Sequence, residues 1–119
     1  MSDGFRARVG AICGALPGAQ VSDPWGGGHE AWKVGDRMFA CIGAVQPGVA
    51  VKCRDIETAT MLKEAGVAGH ARYFHKSWIL LPEETDEEEL RHRLASSYDI
   101  IRAKLPAALR RQLASDEAR

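Results

Sequence analysis

Two short strand-like segments separated only by Gly35 and Asp36 constrain the fold of this chain most. Residues 31–34 and 37–43 are both rich in apolar and aromatic side chains. A two-residue link between such segments is typical of a tight hairpin. The next turn, at residues 46–48, is also short and leads into a further strand. Links of this length leave no room for a crossover helix, so these strands must pair antiparallel.

Three amphipathic segments predict helices. Apolar residues recur at intervals of three and four over residues 3–16, and Pro17 and Gly18 end that pattern. Asp55 has the character of an N-cap for a second helix that Gly66 would end. A capping box over residues 85–88 opens a long third helix that Pro106 ends. The predicted inward residues are Phe5, Val9, Ile12 and Leu16 in the first helix, Ile56, Ala59 and Leu62 in the second, and Leu90, Leu94, Tyr98, Ile101 and Leu105 in the third.

The remaining segments complete the order α-β-β-β-β-α-β-α. Residues 21–28 have the composition of a short strand and a glycine-rich turn, and residues 78–81 that of a last strand. Residues 107–113 are expected to add one or two helical turns, and residues 115–119 to fray. This order predicts an α+β fold, in which an antiparallel sheet carries its helices on one face.

Alternation along the strands assigns side chains to the two faces of the sheet. Period-two spacing puts Phe39 and Cys41 on one face of their strand. In the strand over residues 49–53, the same spacing groups Val49, Val51 and Cys53 and points Lys52 and Arg54 the opposite way. The three cysteines, which include Cys13, fall among apolar residues and form no C-x-x-C pair. We therefore interpret them as core side chains and expect neither a disulfide nor a metal site.

Size and charge exclude several classes of protein. A chain of 119 residues with 45% hydrophobic residues fits one domain, which we place at residues 1–119 with an ordered core of about residues 5–113. The net charge is zero, which argues against capture of nucleic acid by the whole surface. Residues 30–81 nevertheless hold seven Lys and Arg against five Asp and Glu, so the middle of the chain is mildly basic. No signal segment or long apolar run is present, so a cytoplasmic protein without a membrane partner is expected.

No catalytic pattern is visible in the chain. Ser77, Ser96 and Ser97 lack a nucleophile elbow, and no two carboxylates stand out as an acid–base pair. We therefore expect a non-enzymatic protein that needs no cofactor. His29 follows three glycines, but a phosphate loop requires a helix behind it and here a strand follows, which favours a simple turn.

The other histidines and the acidic run suggest no metal site. His70, His75 and His92 show no metal-ligand spacing and are interpreted as solvated side chains. The acidic residues between 83 and 89 could form an iron-binding surface, but capping of the following helix explains most of them.

Several short segments, taken in their order and spacing, resemble the MmcQ/YjbR family over residues 5–113. They are Leu16-Pro17-Gly18-Ala19, Asp23-Pro24-Trp25-Gly26, residues 32–40, Val51-Lys52-Cys53, His75-Lys76-Ser77-Trp78 and residues 97–106. The resemblance implies a frataxin-like (CyaY-like) fold and DNA binding through a double-wing arrangement of hairpins. The chain departs from many members in carrying His75-Lys76 where they have Asn-Lys, and its loop over residues 66–69 is shorter.

The segment over residues 70–82 is the strongest candidate for a binding site. It combines histidines, cations and three aromatic residues ahead of an apolar strand, and rings beside Arg and Lys suit bases and phosphates. The same rings could instead pack into the core and leave the cations in solvent. A lysine between Phe74 and Trp78 indicates a loop or an edge before Trp78, and Trp78 itself is interpreted as a core residue.

Two functions from different classes follow. The first is a DNA-binding module whose contacts would come from Lys33, Arg37, Lys52, Arg54, Arg72, Tyr73, His75 and Lys76. The second is a non-enzymatic protein-interaction or small-ligand module, monomeric or weakly dimeric, in which Trp25, Trp32 and Tyr73 line a groove. A metal chaperone that uses the acidic start of the third helix is a third alternative.

Overall fold

The computed structural model describes residues 3–118, which form a six-stranded antiparallel sheet and four helices. The elements in chain order are α1 (Asp3–Gly14), β1 (Ala19–Ser22), β2 (Glu30–Val34), β3 (Arg37–Ile42), β4 (Val49–Lys52), α2 (Ile56–Glu64), β5 (Gly69–His70), β6 (Trp78–Leu81), α3 (Glu87–Ala103) and α4 (Ala107–Glu117). Across the sheet the strands lie in the order β1-β2-β3-β4-β6-β5. The α+β prediction is confirmed.

Two elements extend the predicted order. Strand β5 has only two residues, too few for an alternation pattern to reveal, and it pairs with β6 at the edge of the sheet. Helix α4 continues to Glu117, so the expectation that residues 115–117 fray is wrong; Arg119 lies outside the described residues. An ion pair between Arg102 and Glu117 ties the end of α4 to α3, and Arg110 Nε donates to the Leu105 carbonyl oxygen at 3.0 Å.

The main core lies between one face of the sheet and helices α1, α2 and α3, as predicted. All five residues of the predicted α3 stripe are buried, and so are Phe5, Val9 and Ile12 of α1. In α2, Ala59 and Leu62 face inward but Ile56 is 45% exposed. Ile56 is the first residue of the helix and lies at the margin of its apolar stripe, which explains this departure.

Side-chain caps fix the starts of two helices. The Asp55 carboxylate accepts from Thr58 N at 2.7 Å, which confirms the predicted cap of α2. The cap of α3 is Asp86, which accepts from Glu89 N at 2.9 Å, and not Thr85 as predicted. Thr85 instead donates its hydroxyl to the Pro82 carbonyl oxygen at 2.7 Å, because it belongs to the turn that ends β6.

A bulge in β3 changes which side chains face the core. Trp32 pairs with Ala40 and Lys33 with Met38, so Phe39 is an extra residue in its strand. Its ring turns toward the helices and meets Tyr98 edge-on at 5.3 Å, whereas Cys41 lies on the opposite face. The prediction that Phe39 and Cys41 share a face is therefore wrong, because a bulge shifts the alternation by one residue.

The hydroxyl of Ser97 bridges the backbone at this bulge. Ser97 is fully buried on α3, and its Oγ donates to the Phe39 carbonyl oxygen at 2.6 Å. The same Oγ accepts from the backbone N–H of Lys52 at 2.9 Å. Because the pairing of β3 with β4 stops at Ala40 and Val51, this side chain satisfies backbone groups beyond the end of the ladder.

Candidate nucleic-acid interface

The side of the sheet opposite the helices, here called the open face, carries two of the candidate lysines. Trp32, Val34 and Val51 point into the main core, so alternation directs Lys33 and Lys52 to the open face. Lys33 is aligned with Met38 of β3, and Lys52 with Trp78 of β6. The two lysines are two strands apart, a separation of about 10 Å between their backbones.

A second, smaller apolar cluster is formed on the open face around Trp78. The indole is buried with Ala50 and Ala71, and its ring lies 4.6 Å from that of Phe74. The residues between β5 and β6, here called the 71–77 loop, form a turn that ends where β6 begins at Trp78. The interpretation of Trp78 as buried and of the preceding segment as a loop is confirmed, although Trp78 packs on the open face rather than in the main core.

Ser77 connects Lys52 to His75. Lys52 Nζ donates to Ser77 Oγ at 2.5 Å, and that oxygen lies 2.9 Å from His75 Nδ1. The Ser77 N–H also donates to His75 Nδ1 at 3.1 Å. Burial, followed by the nearby charge of Lys104, lowers the pKa of Lys52. These contacts hold an ammonium and an imidazole side by side at the margin of the open face.

Arg72, Tyr73 and Lys76 project from the 71–77 loop into solvent. The guanidinium carbon of Arg72 lies 5.5 Å from the centre of the Tyr73 ring, which is a cation–π distance. All three side chains are exposed. This loop therefore adds two cations and one aromatic ring to the lysines of the strands.

The other two candidate cations lie apart from the Ser77 cluster. Arg54 Nε donates to Thr58 Oγ1 at 3.2 Å and is 3.6 Å from the carboxylate of Asp55, the cap of α2, so it lies against the start of that helix. Arg37 is exposed in the hairpin between β2 and β3, opposite Val34. The structure thus brings Lys52 together with His75 and places Lys33 on the same face of the sheet. Arg54 lies at the start of α2 instead.

Three loops enclose a pocket of about 680 Å³ above the open face. Trp25 and Tyr73 line it, as the hypothesis of a ligand groove expected, and Cys41, Ala50 and Leu80 are among the strand residues beneath it. Trp32 does not line this pocket. It is buried in the main core, where its ring packs against Gly10 and Gly14 of α1.

The glycine-rich turn beside the pocket is folded around Asp23. The Asp23 carboxylate accepts from the backbone N–H groups of Gly28 and His29 at 3.0 and 3.2 Å. Two of the donors that a phosphate loop would need are therefore already bonded, and strand β2 follows directly. His29 lies edge-on to Trp25, with 5.1 Å between the ring centres.

The buried thiols are held in their protonated form. Burial raises the pKa of Cys13 from 9.0 to about 12 and also raises the pKa values of Cys41 and Cys53. Across residues 3–118 no three His, Cys, Asp or Glu side chains converge as metal ligands do. Nor is any helix in that part of the chain long and apolar enough to span a bilayer.

Comparison with known proteins assigns the family. A family model described as YjbR matches residues 14–100, from the end of α1 into α3. The chain belongs to the YjbR family. The YjbR match includes every candidate site residue, whereas α4 lies outside it. The resemblance seen in the sequence is confirmed at the level of the family.

A solved structure supports the same fold. The crystal structure of Deinococcus radiodurans protein DR2400, a DUF419 domain, is similar to this YjbR-family chain with a TM-score of 0.78. The identity is 23%, and the match covers 89% of this chain and 85% of that one. At this identity the likeness establishes the fold. No curated protein matches the chain.

Proposed function

We propose that this YjbR-family protein binds DNA through the open face of its sheet, with Lys33, Lys52, Arg72 and Lys76 as phosphate contacts. Tyr73 and His75 lie among these cations and would contact bases or sugars. The proposal treats the protein as a binding module and assigns it no catalytic step.

The distribution of ion pairs carries this proposal. Every arginine of α1 and α3 makes an ion pair with a carboxylate; these are Arg6, Arg8, Arg91, Arg93 and Arg102. Within residues 4–118, none of the four proposed phosphate contacts makes an ion pair. Cations without a carboxylate partner can bind phosphate without first breaking an ion pair.

The environment of Lys52 also suits an anion. Burial and the charge of Lys104 lower its pKa, so the protonated form of Lys52 is destabilised in the free protein. A phosphate arriving beside Lys52 would relieve that destabilisation, because a nearby negative charge favours the ammonium. Ser77 already fixes the direction of the side chain.

The salt dependence of DNA affinity tests the proposal. We expect a single-stranded oligonucleotide of about 12 nucleotides to bind with a slope of log K against log salt of about −3, which corresponds to four phosphate contacts. Lys33→Ala should reduce the slope by about 0.7. Lys63→Ala, the same substitution on α2, should leave it unchanged. Fluorescence anisotropy over about 20 to 200 mM NaCl measures these slopes. Absence of binding of both this strand and the corresponding duplex at the lowest salt concentration would refute the proposal.

A further inference from the structure

The most exposed apolar side chains of the described chain surround one pocket. Tyr73 is 95% exposed, Val45 89% and Trp25 60%, and all three line the pocket above the open face. They come from three separate loops, so their proximity is a property of the fold and not of one apolar segment. Exposed apolar groups that gather around a concave site indicate contact with a ligand.

The backbone at Tyr73 is strained in a way that packing does not explain. Its φ is +71°, and the only other non-glycine residue between 3 and 118 with positive φ is Asp36. Asp adopts this conformation more readily, whereas a bulky aromatic residue rarely does. The Tyr73 side chain is almost fully exposed and contacts only the Arg72 guanidinium among the ring contacts of the described residues, so little side-chain packing offsets the strain. A hydrogen bond from the Phe74 N–H to the Ala71 carbonyl oxygen at 3.3 Å closes the turn that holds Tyr73 in this conformation. Strain of this kind is typical of sites that hold a side chain ready for a ligand.

The charges that line the pocket favour an anionic ligand. Arg72 contributes a permanent positive charge and has no carboxylate partner in the described part of the chain, whereas His29 lies 3.7 Å from the Asp23 carboxylate and adds no uncompensated charge. Among the described residues that line the pocket there is no Asp or Glu. Aromatic rings, one guanidinium and a volume of about 680 Å³ suit a planar ring attached to an anionic group.

We infer that the pocket accepts one unstacked base of a DNA single strand, while the phosphates on either side contact Arg72 and the lysines of the open face. This inference rests on the proposed function and specifies its substrate as single-stranded. Trp25 and Tyr73 provide the stacking surfaces, and the strand residues Cys41, Ala50 and Leu80 form the floor. A base inside a duplex is paired and stacked on both sides, so it cannot enter without being extruded.

A strand without bases separates this inference from the proposed function. We expect an oligomer of about 12 thymidines to bind about 5- to 140-fold more tightly than an abasic oligomer of equal length, which carries the same phosphates. The corresponding duplex should bind no better than the abasic strand. Equal affinity for the thymidine and abasic strands would overturn the inference and leave phosphate binding intact. Binding of none of the three oligomers, the duplex included, would overturn the proposed function as well.

Substitutions at the rim of the pocket provide the second test. Trp25→Ala and Tyr73→Gly should each lower the affinity for the thymidine strand about 5-fold or more and leave the affinity for the abasic strand unchanged. The matched control is Met61→Ala, because Met61 on α2 is 59% exposed and lies outside the pocket. It should change neither affinity. Equal losses for both strands, or no loss for either, would overturn the inference.

The indole of Trp25 also reports occupancy of the pocket. Trp32 and Trp78 are buried, so a stacked base should quench the fluorescence of Trp25. Trp25→Phe should retain most of the affinity and abolish the quenching. Quenching that persists in Trp25→Phe would place the base elsewhere and overturn the inference.

Discussion

Ser97 shows how one hydroxyl can decide a local geometry. It satisfies the Phe39 carbonyl oxygen and the Lys52 N–H where the β3–β4 ladder ends. The Lys52 side chain, which Ser77 then orients, extends from the same backbone position. A residue of the main core thus helps to position a cation of the open face, through a hydrogen bond to that cation's own backbone.

Ser97→Ala is expected to lower the free energy of unfolding by about 2 kcal/mol, because it leaves two buried backbone groups without a partner. Urea denaturation measures this change. The control is Ser96→Ala, the same substitution one residue earlier on α3, at a half-buried position. It should change stability by less than about 0.5 kcal/mol. Equal effects of the two substitutions would contradict the bridging role of Ser97.

Tyr73 gives a second prediction at the residue scale, because its φ of +71° should reverse the usual ranking of alanine and glycine. Tyr73→Gly should be more stable than Tyr73→Ala by about 1 kcal/mol, since only glycine adopts this backbone conformation without strain. Both variants lose the same exposed ring, so contacts of the side chain cancel in the comparison. Thermal denaturation of the pair measures the difference, and an alanine variant as stable as the glycine variant would contradict a strained backbone.

At the scale of elements, the turn between β3 and β4 lies directly against β6. Gly48 has a φ of +106°, and a Cβ placed there would be 2.4 Å from the Leu81 carbonyl oxygen. This close approach allows β4 to pair with β6 up to Val49 and Leu81. The glycine is therefore required by a neighbouring strand as well as by its own turn.

Gly48→Ala is expected to destabilise the protein by about 3 kcal/mol, through backbone strain and a clash with β6. Gly27→Ala is the control, because Gly27 also has a positive φ, +79°, but has open space around its Cβ position. That variant should lose only about 1 kcal/mol. The midpoints of urea denaturation compare the two, and similar losses would show that the contact with Leu81 is unimportant.

The sequence predicted those features that depend on local patterns. The stripe of α3 and the cap of α2 follow from spacing and from one side chain, and both are present. The bulge at Phe39 is not predicted by any local pattern. The hydroxyl that binds its carbonyl oxygen belongs to Ser97, which is 58 residues away in the chain. In the candidate site, Tyr73 and Trp25 could be singled out as aromatic residues, but their meeting at one pocket depends on three loops that only the fold brings together.

At the scale of the whole molecule, the buried thiols link stability to pH. The pKa of Cys13 is about 12 in the folded protein and near 9 when the chain is unfolded. Below pH 9 the thiol is protonated in both states, so its contribution is fully present there. Above pH 9 the unfolded chain loses the proton first, and stability falls until the pH reaches the folded pKa.

The free energy of unfolding should therefore fall steeply as the pH rises above about 9. Cys13 alone accounts for about 1.4 kcal/mol per pH unit in this range. Cys13→Ala removes this thiol. The free energy of unfolding of the variant should therefore fall with pH less steeply than that of the unsubstituted protein, by about 1.4 kcal/mol per pH unit. Parallel slopes for the two proteins would show that Cys13 does not resist ionisation in the fold.

The cations of this molecule differ in how they are compensated, although its net charge is zero. The arginines of α1 and α3 are neutralised by carboxylates beside them, whereas Lys33 and Lys52 of the open face make no ion pair among the described residues. A local excess of positive charge can therefore persist at a pH where the total charge vanishes. Close to pH 6.9, the protein is expected to be retained by a cation-exchange resin at low salt, and Lys33→Ala should weaken that retention.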